Sequence, residues 1–119
     1  MKVNSYRELL VWQESMDLVE LIYAQTKLFP KEEMYGLTSQ LRRAAVSIPS
    51  NISEGFMRKN TKEFIQFLHI SLGSLGEVDT QMEIAYRLKY ISSADEINTS
   101  IVRVRKLLYG LLKSLKQKI

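Results

Sequence analysis

Apolar residues recur every three or four positions along nearly the whole chain, a spacing that puts them on one face of an α-helix. The pattern is interrupted at Phe29-Pro30, at the polar run 58–62 and, more weakly, at Ser92-Ser93, which predicts four helical segments. Five glycines and two prolines among 119 residues leave little turn chemistry for a β-rich fold. The sequence therefore predicts an all-α protein with a single domain over residues 1–119.

The first two segments cover residues 5–28 and 31–56. Ser5 and Glu8 have the spacing of a capping box, which predicts that the first helix begins at Ser5. Pro49 has no amide N–H, so we expect a kink or a restart inside the second helix, with Asn51 as a new cap. The predicted buried positions are Leu9, Trp12, Met16, Val19, Tyr23 and Thr26 in the first segment, and Met34, Leu37, Leu41, Ala44, Ile48 and Ile52 in the second.

The third segment covers residues 61–91, and the fourth begins at Ser93 with a second capping box. Gly73 and Gly76 each cost a helix interior about 1 kcal/mol relative to alanine. We therefore expect both glycines where another backbone comes close, opposite Ala44-Ala45. The predicted buried positions are Phe64, Leu68, Ser71, Leu75, Val78, Met82 and Ala85, followed by Ile97, Ile101, Val104, Leu108, Leu111 and Leu115.

Short connections between four such helices predict an up-down-up-down antiparallel four-helix bundle. The charge pattern supports this topology, because the net charge is −2 over residues 1–33, +4 over 34–62, −4 over 63–96 and +6 over 97–119. In a square bundle each helix contacts its sequence neighbours, and the first contacts the fourth. Every contact then joins segments of opposite charge.

The residues that most enzymes and metal sites need are rare in this chain. It has no cysteine, a single histidine at His69, and no Glu-x-x-His motif of the kind that di-metal bundles use. It also has no Gly-x-Ser-x-Gly, phosphate-loop or dinucleotide motif. We therefore expect no catalytic residue, metal site, cofactor or small-molecule substrate. The absence of a signal-peptide core and of a long apolar run predicts a cytoplasmic protein without a membrane partner.

Basic side chains gather in two places. The fourth segment carries no acidic residue after position 96, and its heptad places four basic residues outward: Arg103, Lys106, Lys113 and Lys116. A second cluster comprises Arg42, Arg43, Arg58, Lys59 and Lys62. Such clusters are typical of surfaces that bind RNA or DNA. The alternative is that these charges only balance the acidic first and third segments.

A second apolar stripe lies nearly opposite the predicted core face of the first segment, and another lies outside the predicted core face of the fourth. One helix cannot turn two opposite faces into one small core, so these residues predict a surface for self-association or for a protein partner. The predicted oligomer interface comprises Val11, Leu18, Leu21, Val102, Tyr109 and Leu112.

Four stretches of the sequence resemble one known family. They are YRELLVW at residues 6–12, LFP at 28–30, EMYGLTSQLRRAAVSIPSNISEGF at 33–56, and the run from Phe64 to Leu75 that ends in GSL. Together they resemble the bacterial four-helix-bundle family named for 23S ribosomal RNA intervening sequences. Gly76 and Val78, just after GSL, depart from the bulkier and more acidic residues expected there.

The resemblance implies a small up-down bundle that forms homopentamers and is sometimes encoded within insertions in 23S ribosomal RNA genes. A distant relative is the accessory protein of diversity-generating retroelements, which binds a reverse transcriptase and nucleic acid. The family has no established catalytic residues to transfer to this chain. We therefore expect a non-enzymatic oligomeric bundle that binds RNA or a ribonucleoprotein through its basic clusters. The alternative is a protein-protein interaction scaffold without nucleic-acid binding.

Overall fold

The computed structural model describes residues 2–119 as four helices joined by short turns. The helices are α1 (Leu10–Thr26), α2 (Leu37–Met57), α3 (Thr61–Arg87) and α4 (Asp95–Lys116), with short 3₁₀ helices at Tyr6–Glu8 and Lys31–Glu33. Each helix packs against its sequence neighbours, and α1 packs against α4. The bundle measures 46 × 24 × 19 Å. The predicted all-α up-down four-helix bundle is confirmed.

Two predicted caps act differently from the expectation. Ser5 accepts a hydrogen bond from the Arg7 amide and caps the first 3₁₀ helix, whereas α1 begins only after Leu9, which lies in extended backbone. Asn51 lies inside α2, where its side-chain amide donates to the carbonyl and hydroxyl oxygens of Ser47. The α2 helix runs without interruption through Pro49, so no restart occurs there.

The buried face of α1 is not the one predicted from the apolar spacing. Its buried residues are Val11, Ser15, Leu18, Ile22 and Thr26. The predicted burial of Thr26 is confirmed, whereas Ser15 was not predicted because it is polar; both hydroxyls are satisfied within the helix. Ser15 donates to the Val11 carbonyl at 2.6 Å, and Thr26 donates to the Ile22 carbonyl at 2.8 Å. The sequence prediction for α1 is therefore wrong by roughly a quarter turn.

The rotated face of α1, together with the burial of Leu112 on α4, removes half of the predicted oligomer interface. Val11, Leu18 and Leu112 are buried in the hydrophobic core of the single chain, so they cannot contact a second copy. Leu21 is half-buried and packs against that core. Val102 and Tyr109 are exposed at 43% and 57%. The remaining surface lies on α4, away from the predicted α1 stripe.

The predicted core positions of α3 and α4 are confirmed, apart from Phe64 and Leu111, which are only partly buried. In α2, Leu41, Ala44, Ile48 and Ile52 are buried as predicted, but Leu37 is only partly buried. Met34 is exposed because it precedes α2 in the turn after the second 3₁₀ helix.

Close packing between α2 and α3 occurs at a glycine that the sequence analysis did not single out. A Cβ added at Gly55 would lie 2.7 Å from the Phe67 Cβ and 3.3 Å from the Phe64 Cα. Gly73 and Gly76, by contrast, are exposed and have open space where a Cβ would be. The prediction that they permit close backbone approach is therefore wrong.

Candidate nucleic-acid interface

Two of the predicted nucleic-acid contacts are arginines held in ion pairs. Arg58 reaches Glu54 at 3.3 Å and Glu63 at 3.5 Å, and Arg103 reaches Glu14 at 3.2 Å. The Arg103 pair links α4 to α1, the kind of basic-to-acidic helix contact that the charge pattern predicts. For these two residues the charge-balancing alternative describes the structure better, because each guanidinium already has a carboxylate partner.

Arg42 and Arg43 lie on α2, which stands across the bundle from α4. The Nε of Arg42 donates to the Thr26 hydroxyl at 2.8 Å, and its guanidinium lies 4.6 Å from the centre of the Tyr23 ring. Arg43 is exposed beside it. The predicted basic clusters are thus not one surface, because the arginine pair faces away from the α4 lysines.

Lysines form the second group, with four at one end of the bundle and Lys106 midway along α4. Lys59 in the α2–α3 turn and Lys62 in the first turn of α3 lie at the same end as the last turns of α4, because α2 and α4 run in the same direction. Ring contacts mark this end, with Phe56 6.4 Å from Tyr6 and 6.0 Å from Phe64 between ring centres. We define the lysine surface as Lys59, Lys62, Lys106, Lys113 and Lys116.

All five residues of the lysine surface are exposed, and within residues 2–119 no carboxylate lies within ion-pair distance of any of them. Val102 and Tyr109 are exposed on the same side of α4, at helical spacing from Lys106 and Lys113. Both apolar residues belong to the oligomer interface predicted from the sequence. The α4 heptad already indicated this arrangement, because it places Tyr109 outward between the lysines.

A carboxylate and a phenol with shifted pKa values meet at the opposite end of the bundle. The Glu33 carboxylate accepts from the Tyr90 hydroxyl at 2.7 Å and from the Leu37 amide at 3.1 Å. These bonds lower the pKa of Glu33, and the bond to the carboxylate raises the pKa of Tyr90. The pair ties the α1–α2 connection to the α3–α4 connection, and Phe29 packs 5.5 Å from the Tyr90 ring centre.

Two other kinds of feature, a metal site and a membrane-spanning helix, can be checked in the described residues. Within residues 2–119, no three His, Cys, Asp or Glu side chains come together in a way that could hold a metal ion. None of the described helices combines the length and the apolar character needed to cross a membrane.

The fold and the exposed lysines define a small antiparallel bundle of four helices with one strongly basic end. Residues 7–110 match the family described as 23S rRNA-intervening sequence protein, and the chain belongs to this family. The chain is also similar to a crystal structure of a protein of unknown function from the S23 ribosomal protein family of Bacteroides thetaiotaomicron. That likeness has a TM-score of 0.79 and 25% identity, and covers 87% of this chain and 96% of the other. A comparison with curated proteins gives no match.

Proposed function

We propose that this chain is a non-catalytic bundle that binds RNA, or the RNA of a ribonucleoprotein, through the lysine surface. One observation carries the proposal: five exposed lysines gather at one end of the bundle and along α4, where residues 97–119 carry no acidic side chain. The predicted set of nine residues is reduced accordingly, since Arg58 and Arg103 are neutralised and Arg42 and Arg43 face another side.

Free lysines suit a phosphate backbone. Each ammonium that contacts a phosphate releases condensed counterions, and this release supplies most of the affinity in sequence-independent binding. Beyond Asp95 and Glu96 in its first turn, α4 adds no opposing charge, because residues 97–119 contain no acidic side chain. The family description, which refers to 23S rRNA, supports RNA as the nucleic acid. An RNA partner would be met in the cytoplasm, where we expect the chain to act.

A second candidate function is self-association, the scaffold alternative. Tyr109 is 57% exposed and Val102 is 43% exposed, and apolar groups of this size on one helix favour a protein contact. We propose that a homo-oligomer, a pentamer by family resemblance, would use α4 rather than the buried α1 residues. This candidate competes with RNA binding for the same face of α4.

The test of RNA binding is the affinity for a labelled RNA duplex, measured by fluorescence anisotropy at low salt. The variant replaces Lys106, Lys113 and Lys116 with glutamine. A matched control replaces Lys27, Lys31 and Lys89, three exposed lysines at the other end of the bundle, and therefore removes the same net charge.

We expect the first variant to bind at least about tenfold more weakly and the control to bind nearly as well as the unmodified chain. An equal loss of RNA affinity in the two variants would mean that only net charge matters, and it would refute the proposal that RNA binds at the lysine surface. Light scattering tests the rival: if Tyr109→Ser dissociates an oligomer and leaves RNA affinity unchanged, α4 is a protein interface instead.

A further inference from the structure

An open groove runs along the junction of α1 and α2, on the side of the bundle away from α4. Its wider part has a volume of about 630 Å³ and is lined by Tyr23, Met34 and Val46 among others. A narrower part of about 300 Å³ continues toward Trp12 and again includes Val46. We call this feature the α1–α2 groove. Part of its lining comes from α1 residues that the apolar spacing placed in the core, namely Trp12, Met16, Val19 and Tyr23, so apolar side chains here face solvent.

The seven arginines of the chain fall into two groups, those in ion pairs and those without a carboxylate partner. Four of the seven are in ion pairs with carboxylates: Arg58, Arg87, Arg103 and Arg105. The other three, for which no carboxylate lies within ion-pair distance in residues 2–119, are Arg7, Arg42 and Arg43. Arg42 and Arg43 line the wide part of the groove, and Arg7 lies beside Trp12, which lines the narrow part.

Two of these arginines lie against aromatic rings that line the groove. Arg7 lies 5.4 Å from the Trp12 ring centre at the narrow end, and Arg42 lies 4.6 Å from the Tyr23 ring centre at the wide end. Among the described residues, the linings of both parts include no Asp or Glu. The groove therefore suits a ligand that is both anionic and flat.

Tyr35 adds a free stacking surface at the wide end. It lines the groove there and is 97% exposed, so neither face of its ring is covered by the chain itself. Exposed aromatic rings next to unpaired arginines are the combination with which proteins bind unpaired nucleotides: the bases stack on the rings and the phosphates meet the guanidinium groups.

We propose that the α1–α2 groove binds single-stranded nucleic acid, with a base stacked on Tyr35 and phosphates at Arg42 and Arg43. The inference rests on the proposed function in one respect, that the chain binds nucleic acid. It differs in the site and in the form of the ligand, because the lysine surface is proposed to meet the phosphate backbone of a duplex and the groove an unpaired strand. A chain with both sites would hold a duplex and an adjoining unpaired strand on opposite sides.

The test compares two probes, a labelled oligouridylate and an RNA duplex of the same length, with an oligothymidylate added to distinguish RNA from DNA. Tyr35→Ser removes the stacking surface without disturbing the core, and Arg43→Gln removes one phosphate contact. The matched control is Tyr86→Ser, which removes a tyrosine that is 47% exposed on α3. Trp12 is the single tryptophan of the chain and lines the narrow end, so its fluorescence reports occupancy of the groove.

We expect Tyr35→Ser to weaken oligouridylate binding by about 5- to 100-fold, as the loss of one stacked base does. Duplex binding should stay unchanged, the control should bind like the unmodified chain, and single strands should quench Trp12. Because stacking does not depend on the base or on the sugar, we expect oligothymidylate to bind with similar affinity and to lose a similar factor in Tyr35→Ser.

Equal oligouridylate affinity in the Tyr35 and Tyr86 variants would overturn the inference, as would unaltered Trp12 fluorescence at saturation. A third contradicting result is an oligomer that dissociates in Tyr35→Ser without any change in oligouridylate affinity, because a second copy of the chain would then cover the groove. Loss of duplex binding in the triple lysine variant with retention of oligouridylate binding would separate the two sites. If the unmodified chain binds the duplex but not oligouridylate, the groove proposal is refuted while the lysine surface stands.

Discussion

Replacing Gly55 with alanine tests the closest contact between α2 and α3. Gly55 is buried in the last turn of α2, and the added Cβ would lie 2.7 Å from the Phe67 Cβ and 2.9 Å from the Phe64 Cδ1. The Cα of Phe64 follows at 3.3 Å. Since two of these three atoms are fixed to the α3 backbone, a side-chain rotation cannot relieve the overlap. The helices themselves must move apart.

The expected free-energy change is the difference between two opposing effects. Overpacking of this kind costs about 1 to 3 kcal/mol. Alanine favours a helix over glycine by about 1 kcal/mol, which offsets part of the cost. With the overlap fixed at backbone atoms we expect a net loss of about 1 to 2 kcal/mol, and for a domain of this size each kcal/mol lowers Tm by about 4 °C.

Thermal unfolding followed by circular dichroism measures the change. Gly73→Ala and Gly110→Ala serve as controls, because both glycines lie in helix interiors with open space around the position of a Cβ. Each control should gain about 0.5 to 1 kcal/mol from the helix preference of alanine. The reasoning fails if Gly55→Ala melts at or above the temperature of the unmodified chain while the controls rise.

Three further outcomes follow from the contacts. Tyr90→Phe should lower Tm at neutral pH. The stability that the lowered Glu33 pKa provides is present above the ordinary value of 4.5 and is lost as pH falls through the lower folded value, so the Tm difference between the two chains should shrink as the pH falls below 4.5. A constant Tm difference would contradict the assignment. Arg103→Gln should cost under about 1 kcal/mol in urea unfolding and leave RNA affinity nearly intact, because its partner is Glu14. Asn60→Ala should cost about 1 kcal/mol in the same assay by removing the cap of α3, and an unchanged midpoint would show that the cap is dispensable.

The parts of the fold that could be predicted are those where apolar spacing and burial coincide. In α4 the heptad from Ile97 to Leu115 identified the core face, because apolar residues recur along it at steps of three and four without a charged residue among them. In α1 both sides carry apolar residues, and the true core includes Ser15, which the apolar spacing did not select. The Ser15 hydroxyl donates to the Val11 carbonyl of the same helix, which makes it acceptable inside, and no spacing rule shows this in advance.

The candidate site was predictable only in part for a related reason. The sequence shows that a residue is charged but not whether a partner cancels that charge. Arg58 meets Glu54 one helical turn away and Glu63 across a turn of the chain, whereas Lys113 meets no carboxylate on its exposed side. The position of Arg42 against Tyr23 depends on how α1 packs on α2, which the wrong choice of α1 face concealed.

The salt dependence of RNA binding tests the central claim most directly. For contacts with Z phosphates of a duplex, log K falls against log salt with a slope of about −0.9Z, so three to five engaged lysines give a slope of about −3 to −5. Replacing Lys106, Lys113 and Lys116 with glutamine should reduce its magnitude by about 2 to 3, whereas the control at Lys27, Lys31 and Lys89 should leave it unchanged. A slope near zero for the unmodified chain, or one that the first replacement does not alter, would contradict binding of RNA through the lysine surface.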